Sequence, residues 1–277
     1  MDRYAVIGHP IAHSKSPRIH AAFARQTGQN LCYEAILAPR DGFSASVHAF
    51  RTAGGRGMNV TVPFKLEAFA LADQHTPRAR AAGAVNTLMF NADCIVGDNT
   101  DGAGLVRDLS IHQGCTLKGR RILLLGAGGA ARGALLPLLN EQPAVLMIAN
   151  RTPSKALELA TRFDTAAGAT QLHACGFEAL AGAQFDLVIN ATAASLADAA
   201  PALPSGLYAP GALAYDMMYG RDDTPFIAAA RADGAARTAD GLGMLVEQAA
   251  ESFALWRGVH PDSSAVLAEL RRELSGR

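Results

Sequence analysis

Short apolar runs alternate along the chain with segments whose apolar residues recur every three or four positions. The first pattern is typical of buried strands and the second of helices that bury one face. Strands are predicted at residues 4–8, 31–37, 57–62, 87–90, 94–97, 122–125, 145–149, 185–190 and 214–217. In the first half of the chain, helices are predicted to begin near residue 17 and to span residues 42–52, 65–71 and 103–109. In the second half, one helix is predicted to follow the strand at 122–125 and its glycine-rich loop and to end at residue 140. Further helices are predicted at 157–162 and 224–234, from 243 past 256, and at 263–274.

This alternation predicts an α/β protein with mostly parallel sheets, because parallel strands need crossover connections that are usually helices. A chain of 277 residues is long for one hydrophobic core, so two domains are expected, with a boundary around residues 102–118. Open α/β sheets bind ligands beyond the carboxyl ends of their strands. Polar residues that directly follow strands are therefore the candidate site residues.

A glycine-rich loop follows the strand at residues 122–125. Gly126, Gly128 and Ala131 have the spacing G-x-G-x-x-A, and a helical pattern starts at once. Gly126 allows a tight turn, Gly128 allows close approach of a pyrophosphate, and the small Ala131 allows the helix to pack on the strand. The helix start offers free N–H groups and a partial positive charge to phosphate. The loop predicts a dinucleotide site.

The next strand ends where an NAD-binding protein would carry Asp or Glu for the ribose 2′-hydroxyl. This chain has Asn150, Arg151 and Thr152, followed by Lys155. No acid repels a 2′-phosphate here, and an arginine fork can hold its oxygens. The cluster predicts NADP over NAD. The alternative is that Arg151 and Lys155 are only an ordinary solvated helix start.

Several polar residues in the first half of the chain also follow predicted strands. Ser16 precedes Pro17 and suits a helix N-cap, whereas capping does not explain Ser14. Lys65 occupies the first turn of a predicted helix, where the helix dipole disfavours a cation; it is either a ligand-facing group or a solvated surface lysine. Asp101 precedes a helix that it could cap. Gln248 lies on an apolar helix face and needs a partner if buried.

Composition excludes several classes of protein. Twenty-five basic and 25 acidic residues cancel, so no net field attracts nucleic acid or an anionic membrane. No apolar run is long enough to cross a bilayer, and the first residues read as a strand with no signal-peptide pattern. The four cysteines have no paired spacing, which argues against disulfides and a zinc site and fits a reducing cytoplasm.

The motifs together resemble those of the shikimate dehydrogenase family, in the family's order and over nearly the whole chain. They are Ser14-Lys15-Ser16-Pro17, Asn59 to Lys65 (NVTVPFK), Gly83 to Thr87 (GAVNT), Asp98 to Gly102 (DNTDG), the loop from Gly126 to Gly133, Asn150-Arg151-Thr152, Asn190-Ala191-Thr192, Tyr215-Asp216-Met217 and Asp240 to Leu245 (DGLGML).

The resemblance implies roles for individual residues. Ser14 and Ser16 are expected to hold the substrate carboxylate, and Lys65 and Asp101 to form the catalytic pair. The remaining substrate-binding residues are expected to be Asn59, Thr61, Asn86, Tyr219 and Gln248, together with Lys65 and Asp101. Cofactor-binding residues are expected to be Gly126, Ala127, Gly128, Gly129 and Ala130 for the pyrophosphate, Asn150, Arg151, Thr152 and Lys155 for the 2′-phosphate, Met217 and Gly241 near the nicotinamide, and also Thr192.

The implied architecture is an N-terminal substrate-binding α/β domain and a Rossmann-type NADP-binding domain with a cleft between them. The expected boundaries are residues 1–101 plus 242–277 for the first and 102–241 for the second. The implied reaction is the reversible NADPH-dependent reduction of 3-dehydroshikimate to shikimate. Two alternatives are a broader quinate/shikimate dehydrogenase and a non-catalytic NADP-binding sensor on the same fold.

Two positions depart from the family pattern. Pro77 stands where the family is often acidic, and Ala193 follows Thr192 where the family often has serine. These two residues bear on the detailed contacts with the cofactor and leave the expected class of reaction unchanged. The remaining expectations are a small-molecule substrate, no metal, no nucleic acid or membrane partner, a cytoplasmic location, and a monomer or homodimer.

Overall fold

Two six-stranded sheets organise the residues that the computed structural model describes, 1–192 and 199–276. Close contacts divide the chain into two units, one of Met1–Gly104 with Leu245–Glu269 and one of Leu105–Met244 with Leu270–Arg277. The chain passes from one unit to the other after residues 104 and 244, three residues after each predicted domain boundary. It passes to the second unit once more after residue 269, inside the last helix. The functional domain boundaries remain a prediction.

The sheet of the first unit is mixed. Its strands are β1 (Asp2–Gly8), β2 (Leu31–Leu37), β3 (Gly55–Val60), β4 (Gln74–His75), β5 (Thr87–Phe90) and β6 (Ile95–Asp98), in the order β2-β1-β3-β5-β6-β4. β1 is parallel to β2 and β3, and β4 is parallel to β6, whereas β5 runs antiparallel to both of its neighbours. The carboxyl ends of β1 and β3 therefore lie side by side.

Helices and aromatic side chains complete this unit. The helices within it are α1 (Ser16–Thr27), α2 (Phe43–Thr52), α3 (Lys65–Leu71) and α4 (Pro77–Ala82), and α5 (Asp101–Arg107) begins in it. One core cluster packs β1 and β3 against α2 and α3, with the rings of Phe43 and Phe64 stacked 4.9 Å apart. A second group of rings surrounds the buried His20, which stacks on Tyr33 at 4.1 Å.

The sheet of the second unit is entirely parallel. Its strands are β7 (Arg121–Leu125), β8 (Val145–Ala149), β9 (Gln171–Cys175), β10 (Phe185–Asn190), β11 (Tyr208–Asp216) and β12 (Arg237–Ala239), in the order β12-β11-β10-β7-β8-β9. This is the Rossmann order with β7 as first strand. Its helices are α6 (Gly129–Asn140), α7 (Pro153–Phe163) and α8 (Pro225–Ala232).

Two long helices, α9 (Leu242–Arg257) and α10 (Ser264–Leu274), close the chain. In the described residues no helix combines the length and apolar character that a membrane span requires.

Most predicted elements are present, and the exceptions have local causes. β11 starts six residues earlier than predicted, because Pro210 and Gly211 interrupt its apolar pattern at an irregularity in register with β10. β4, β9, β12 and α4 are not predicted: they are short, and β4, β9 and β12 are edge strands whose half-exposed side chains lack an apolar run.

Candidate active site

A lysine–carboxylate ion pair lies at the centre of the candidate site in the first unit. Lys65 is the first residue of α3, and its Nζ lies 2.5 Å from Oδ2 of Asp101, the first residue of α5. The start of a helix favours the carboxylate and disfavours the ammonium. The adjacent carboxylate therefore compensates the unfavourable position of Lys65, whose side chain is only 32% exposed. The interpretation as a freely solvated lysine is wrong.

Two amide side chains surround this pair. Asn86 Nδ2 donates to Asp101 Oδ1 at 2.8 Å, and Gln248 Oε1 lies 3.4 Å from the same nitrogen. Gln248 is half-buried, and its own Nε2 donates to the Leu245 carbonyl at 2.9 Å. It is thus a partnered residue beside Asn86. Both oxygens of Asp101 accept a hydrogen bond, whereas the ammonium of Lys65 keeps donors for another group.

The hydroxyl residues predicted to bind substrate lie at the carboxyl ends of β1 and β3. Ser14 and Ser16 follow β1, and Thr61 follows β3. The prediction that Ser16 caps α1 is wrong: Ser16 is the first helical residue, Lys15 occupies the N-cap position, and no side chain caps the helix there. Instead, the Ser16 backbone N–H donates to Ser14 Oγ at 3.3 Å. Asp101 is likewise the first residue of its helix rather than its cap.

Asn59 is more deeply placed than the other predicted substrate residues. It lies on β3, is 6% exposed, and has protein partners for both ends of its amide. Its amide side chain was expected to touch the substrate. In the structure it lies behind Asn86, whose backbone carbonyl accepts from it at 3.3 Å.

The glycine-rich loop of the second unit has the predicted shape. Gly126 has φ +108°, in the region that favours glycine, and its N–H donates to the Ala149 carbonyl at 2.8 Å. Gly128 is the N-cap of α6, where no side chain makes a capping hydrogen bond, and a Cβ on Gly128 or Gly129 would meet no described atom. Ala131 is fully buried, as expected for close packing of the helix. Ala127 and Ala130 complete the loop.

The predicted 2′-phosphate cluster lies at the carboxyl end of β8. Asn150 follows the strand and donates to the Thr152 carbonyl at 3.0 Å, and α7 begins at Pro153. Arg151 and Lys155 are exposed, and neither forms an ion pair within residues 1–192 and 199–276. Their cationic groups are available to an anion.

Thr192, Met217 and Gly241, which are predicted to bind the cofactor, follow β10, β11 and β12 respectively. Thr192 donates from both its N–H and its Oγ1 to Asn190 Oδ1, at 3.1 and 2.7 Å. The Gly241 N–H donates to the Met218 carbonyl at 3.0 Å, and a Cβ on Gly241 would lie 2.1 Å from the Met217 carbonyl oxygen. Only glycine fits there.

Tyr219 lies three residues after the end of β11 and is half-buried. Burial, helped by the negative charge of Asp240, raises the pKa of its phenol, so that it stays protonated and can donate.

An arginine absent from the sequence predictions provides a test of whether a phosphate-bearing cofactor fits. Arg132 stands in the first turn of α6, where the dipole disfavours a cation, and its buried Nε has no acceptor among the described residues. Burial lowers the pKa of this guanidinium, and the positive charge of Arg162 lowers it further. An anion at the start of α6 would offset the unfavourable helix dipole, accept a hydrogen bond from the unpaired Nε, and stabilise the buried positive charge of Arg132 beside Arg162. The signal in the sequence was a cation directly after the glycine fingerprint.

The two departures from the family pattern have different outcomes. Pro77 is the first residue of α4, capped by the Thr76 side chain, so proline is well suited to this position. Ala193 lies outside the described residues.

Together these features define an NAD(P)-dependent oxidoreductase: a Rossmann unit whose helix start is shaped for phosphate, and a second α/β unit with a lysine–carboxylate pair among hydroxyl and amide groups. Three family models match the chain. They describe the shikimate dehydrogenase substrate binding domain (residues 6–88), shikimate / quinate 5-dehydrogenase (residues 109–198) and the shikimate 5′-dehydrogenase C-terminal domain (residues 241–271).

Similar proteins agree with the family models. The shikimate dehydrogenase (NADP(+)) of Aromatoleum aromaticum is 68% identical, over 100% of this chain and 99% of that protein. An Ael1 enzyme from Pseudomonas putida is 53% identical, with a TM-score of 0.92 and 98% of each chain covered. Shikimate 5-dehydrogenase from Thermus thermophilus, solved with NADP(H) and shikimate, is 36% identical, with a TM-score of 0.85 over 99% of this chain and 100% of that one. The chain belongs to the shikimate dehydrogenase family, which confirms the resemblance drawn from its motifs.

Proposed function

We propose that the protein catalyses the reversible, NADP(H)-dependent reduction of 3-dehydroshikimate to shikimate. The observation that carries this proposal is the Lys65–Asp101 pair, held at 2.5 Å beside Asn86 and Gln248. A protein that only sensed NADP would not need a pair of side chains able to transfer a proton, surrounded by hydroxyl and amide groups that can bind a small substrate. The Aromatoleum relative named above and the Thermus structure with both ligands support the same reaction and the same cofactor.

The substrate is a small anion with several hydroxyl groups, and the first unit offers matching partners. The hydroxyls of Ser14 and Ser16, residues that follow β1, would donate to its carboxylate. Thr61, Asn86 and Gln248 would provide hydroxyl and amide groups for the ring oxygens. The family resemblance implies a further donor in the second unit, Tyr219, whose phenol stays protonated. Every one of these groups is neutral and can orient an uncharged hydroxyl.

The proton passes between Lys65 and the C3 oxygen of the substrate. During reduction the Lys65 ammonium donates its proton to this oxygen as negative charge develops on it, and during oxidation the neutral amine accepts the same proton. Asp101, whose Oδ2 lies 2.5 Å from Lys65 Nζ, orients the ammonium. Lys65 is the better proton carrier of the pair, because both Asp101 oxygens already accept hydrogen bonds from protein groups.

NADP(H), when bound, supplies or removes the hydride at C3. The start of α6, with Gly126, Ala127, Gly128, Gly129 and Ala130, would hold its pyrophosphate, and we add Arg132 to this group. Asn150, Arg151, Thr152 and Lys155 would hold the 2′-phosphate. Thr192, Met217 and Gly241 would line the nicotinamide pocket, where the tight approach of Gly241 to the Met217 carbonyl leaves no room for a side chain.

A rate assay tests the proposal. The purified protein is mixed with shikimate or quinate and with NADP⁺ or NAD⁺, and the absorbance of the reduced cofactor is followed. We expect the highest kcat/KM with shikimate and NADP⁺. Faster turnover of quinate would favour the broader quinate/shikimate activity, and no turnover of any pair would favour the sensor.

We further propose that the protein works in the cytoplasm as a monomer or homodimer. All four cysteines are free thiols, which fits a reducing compartment. Cell fractionation and light scattering test location and oligomeric state separately. Recovery outside the cytoplasm would contradict the first, and a larger assembly would contradict the second.

A further inference from the structure

A chain of hydrogen bonds, buried in the middle and partly buried at both ends, runs from the aromatic cluster of the first unit to the Lys65–Asp101 pair. It starts at Tyr33, whose hydroxyl donates to Asn59 Oδ1 at 2.7 Å, and Asn59 Nδ2 then donates to Thr87 Oγ1 at 3.1 Å. Thr87 Oγ1 donates to Asn86 Oδ1 at 2.9 Å, and Asn86 Nδ2 donates to Asp101 Oδ1 at 2.8 Å. The strand register creates the middle step, because Asn59 on β3 lies directly opposite Thr87 on β5.

Two backbone groups set the direction of every hydrogen bond in this chain. The Thr100 N–H, which can only donate, contacts Asn86 Oδ1 at 2.9 Å, so the NH₂ group of Asn86 must face Asp101. The Asn86 carbonyl, which can only accept, contacts Asn59 Nδ2 at 3.3 Å, so the NH₂ group of Asn59 must face Thr87. The Thr87 hydroxyl therefore accepts from Asn59 and has its one hydrogen left for Asn86.

The middle of the chain is shielded from water. Asn59 is 6% exposed, Asn86 2% and Thr87 0%. Water cannot replace a lost donor at these depths, and a buried polar network transmits the loss of one member to its neighbours.

We propose that Thr87 and Asn59 are positioning residues for catalysis, which together with the Thr100 N–H hold the Asn86 amide so that it donates to Asp101, and which thereby orient the Lys65 ammonium. Asn59 then acts through Asn86 without touching the substrate. This inference rests on the proposed reaction. Its specific content is that the Thr87 hydroxyl serves the proton-transferring pair, while substrate affinity depends on other groups.

The test compares Thr87→Val, which removes the hydroxyl at nearly constant volume, with Thr87→Ser, which keeps it. Thr170→Val is the matched control, because Thr170 is a buried threonine of the second unit, 7% exposed, away from the chain of hydrogen bonds. Initial rates of 3-dehydroshikimate reduction are measured at saturating NADPH in H₂O and in D₂O. Thermal melting and NADPH binding establish that each variant is folded.

For Thr87→Val we expect kcat to fall about tenfold to a hundredfold, the range that small displacements of reacting groups cause, with KM for the substrate changed by no more than about twofold. The solvent isotope effect on kcat should rise, because the proton step becomes slower. Thr87→Ser should restore kcat to near the wild-type value, and Thr170→Val should match the wild type.

A folded Thr87→Val protein with wild-type kcat would overturn the inference, as would a Thr87→Ser protein impaired to the same degree. A parallel rise in KM would also overturn it, since it would assign Thr87 to substrate binding. If Thr87→Val does not fold, Thr87→Ala removes the same hydroxyl without filling space and is judged by the same outcomes. An inactive wild type would refute the proposed reaction and this inference together, whereas an active wild type with unaffected variants refutes the inference alone.

Discussion

Replacement of Lys65 by methionine separates the catalytic role of the ion pair from any structural one. Methionine keeps an unbranched side chain of similar length but has no proton to give. The Lys65 and Asp101 side chains are 32% and 22% exposed, so solvent screens their attraction. Ion pairs of this kind contribute about 1 kcal/mol or less to the free energy of unfolding. The variant should therefore melt close to the wild type.

The expected effect on the reaction is much larger. Loss of a positioned general acid typically lowers the rate by about a hundredfold to ten-thousandfold, or roughly 3–5 kcal/mol of transition-state stabilisation. We expect Lys65→Met to lower kcat within that range. The KM for 3-dehydroshikimate should change far less, because the groups that we propose bind the ground state, the Ser14 and Ser16 hydroxyls and the amide side chains, are still present.

The assay is the initial rate of NADPH consumption at several substrate concentrations, with urea unfolding of the same samples. Lys118→Met is the matched control, since Lys118 is an exposed lysine of the second unit. Lys65→Arg adds a second comparison: it keeps a positive charge beside Asp101 but cannot release a proton, so its kcat should also be low. A kcat for Lys65→Met near the wild-type value, or a loss confined to KM, would refute the assignment of Lys65 as proton donor.

The cofactor unit and the buried histidine allow three more tests. Arg151→Ala should raise the Kd of NADP⁺ about tenfold to a hundredfold, the value of a lost charge-assisted hydrogen bond, and leave that of NAD⁺ unchanged in calorimetry; equal losses would contradict a 2′-phosphate contact. Arg132→Gln should weaken both cofactors by a similar factor, about tenfold, because they share the pyrophosphate, and unchanged affinities would remove Arg132 from the site. Burial lowers the pKa of His20 to about 3 from 6.5, so below pH 6.5 the unfolded chain takes up a proton that the folded protein excludes. The contribution of His20 should then lower the free energy of unfolding by up to about 1.4 kcal/mol for each pH unit below 6.5. His20→Phe, which retains a ring to stack on Tyr33, should lack this component in urea titrations at several pH values; identical slopes in both proteins would count against it.

The parts of the protein that depend on neighbouring residues in the chain were accessible from sequence. The glycine loop, its flanking strand and helix, and the Asn150 to Lys155 cluster form one continuous βαβ segment, so their spacing alone predicted a dinucleotide site with a preference for NADP. The family and the two-domain α/β class were confirmed, because the motifs that carry them occur in a fixed order along the chain.

Errors arose where local signals compete. Ser16 has the ideal composition for an N-cap before Pro17, but the chain enters α1 one residue earlier and places Ser16 inside the helix. Arg132 was overlooked because a cation near a helix start is ordinary until its burial and lack of an acceptor are known. Neither property can be calculated from spacing.

The sequence by itself determined which residue types were available for chemistry and on which strand ends they stand, because those features follow from periodicity and local turn chemistry. Only the tertiary structure decided how they are connected. Tyr33, Asn59, Thr87 and Asp101 come from four separate parts of the chain, and it is the pairing of β3 with β5 and the position of the Thr100 N–H that align their hydrogen bonds. Hydrogen-bond direction depends on which donor-only and acceptor-only backbone groups lie nearby, and long-range strand pairing sets those neighbours.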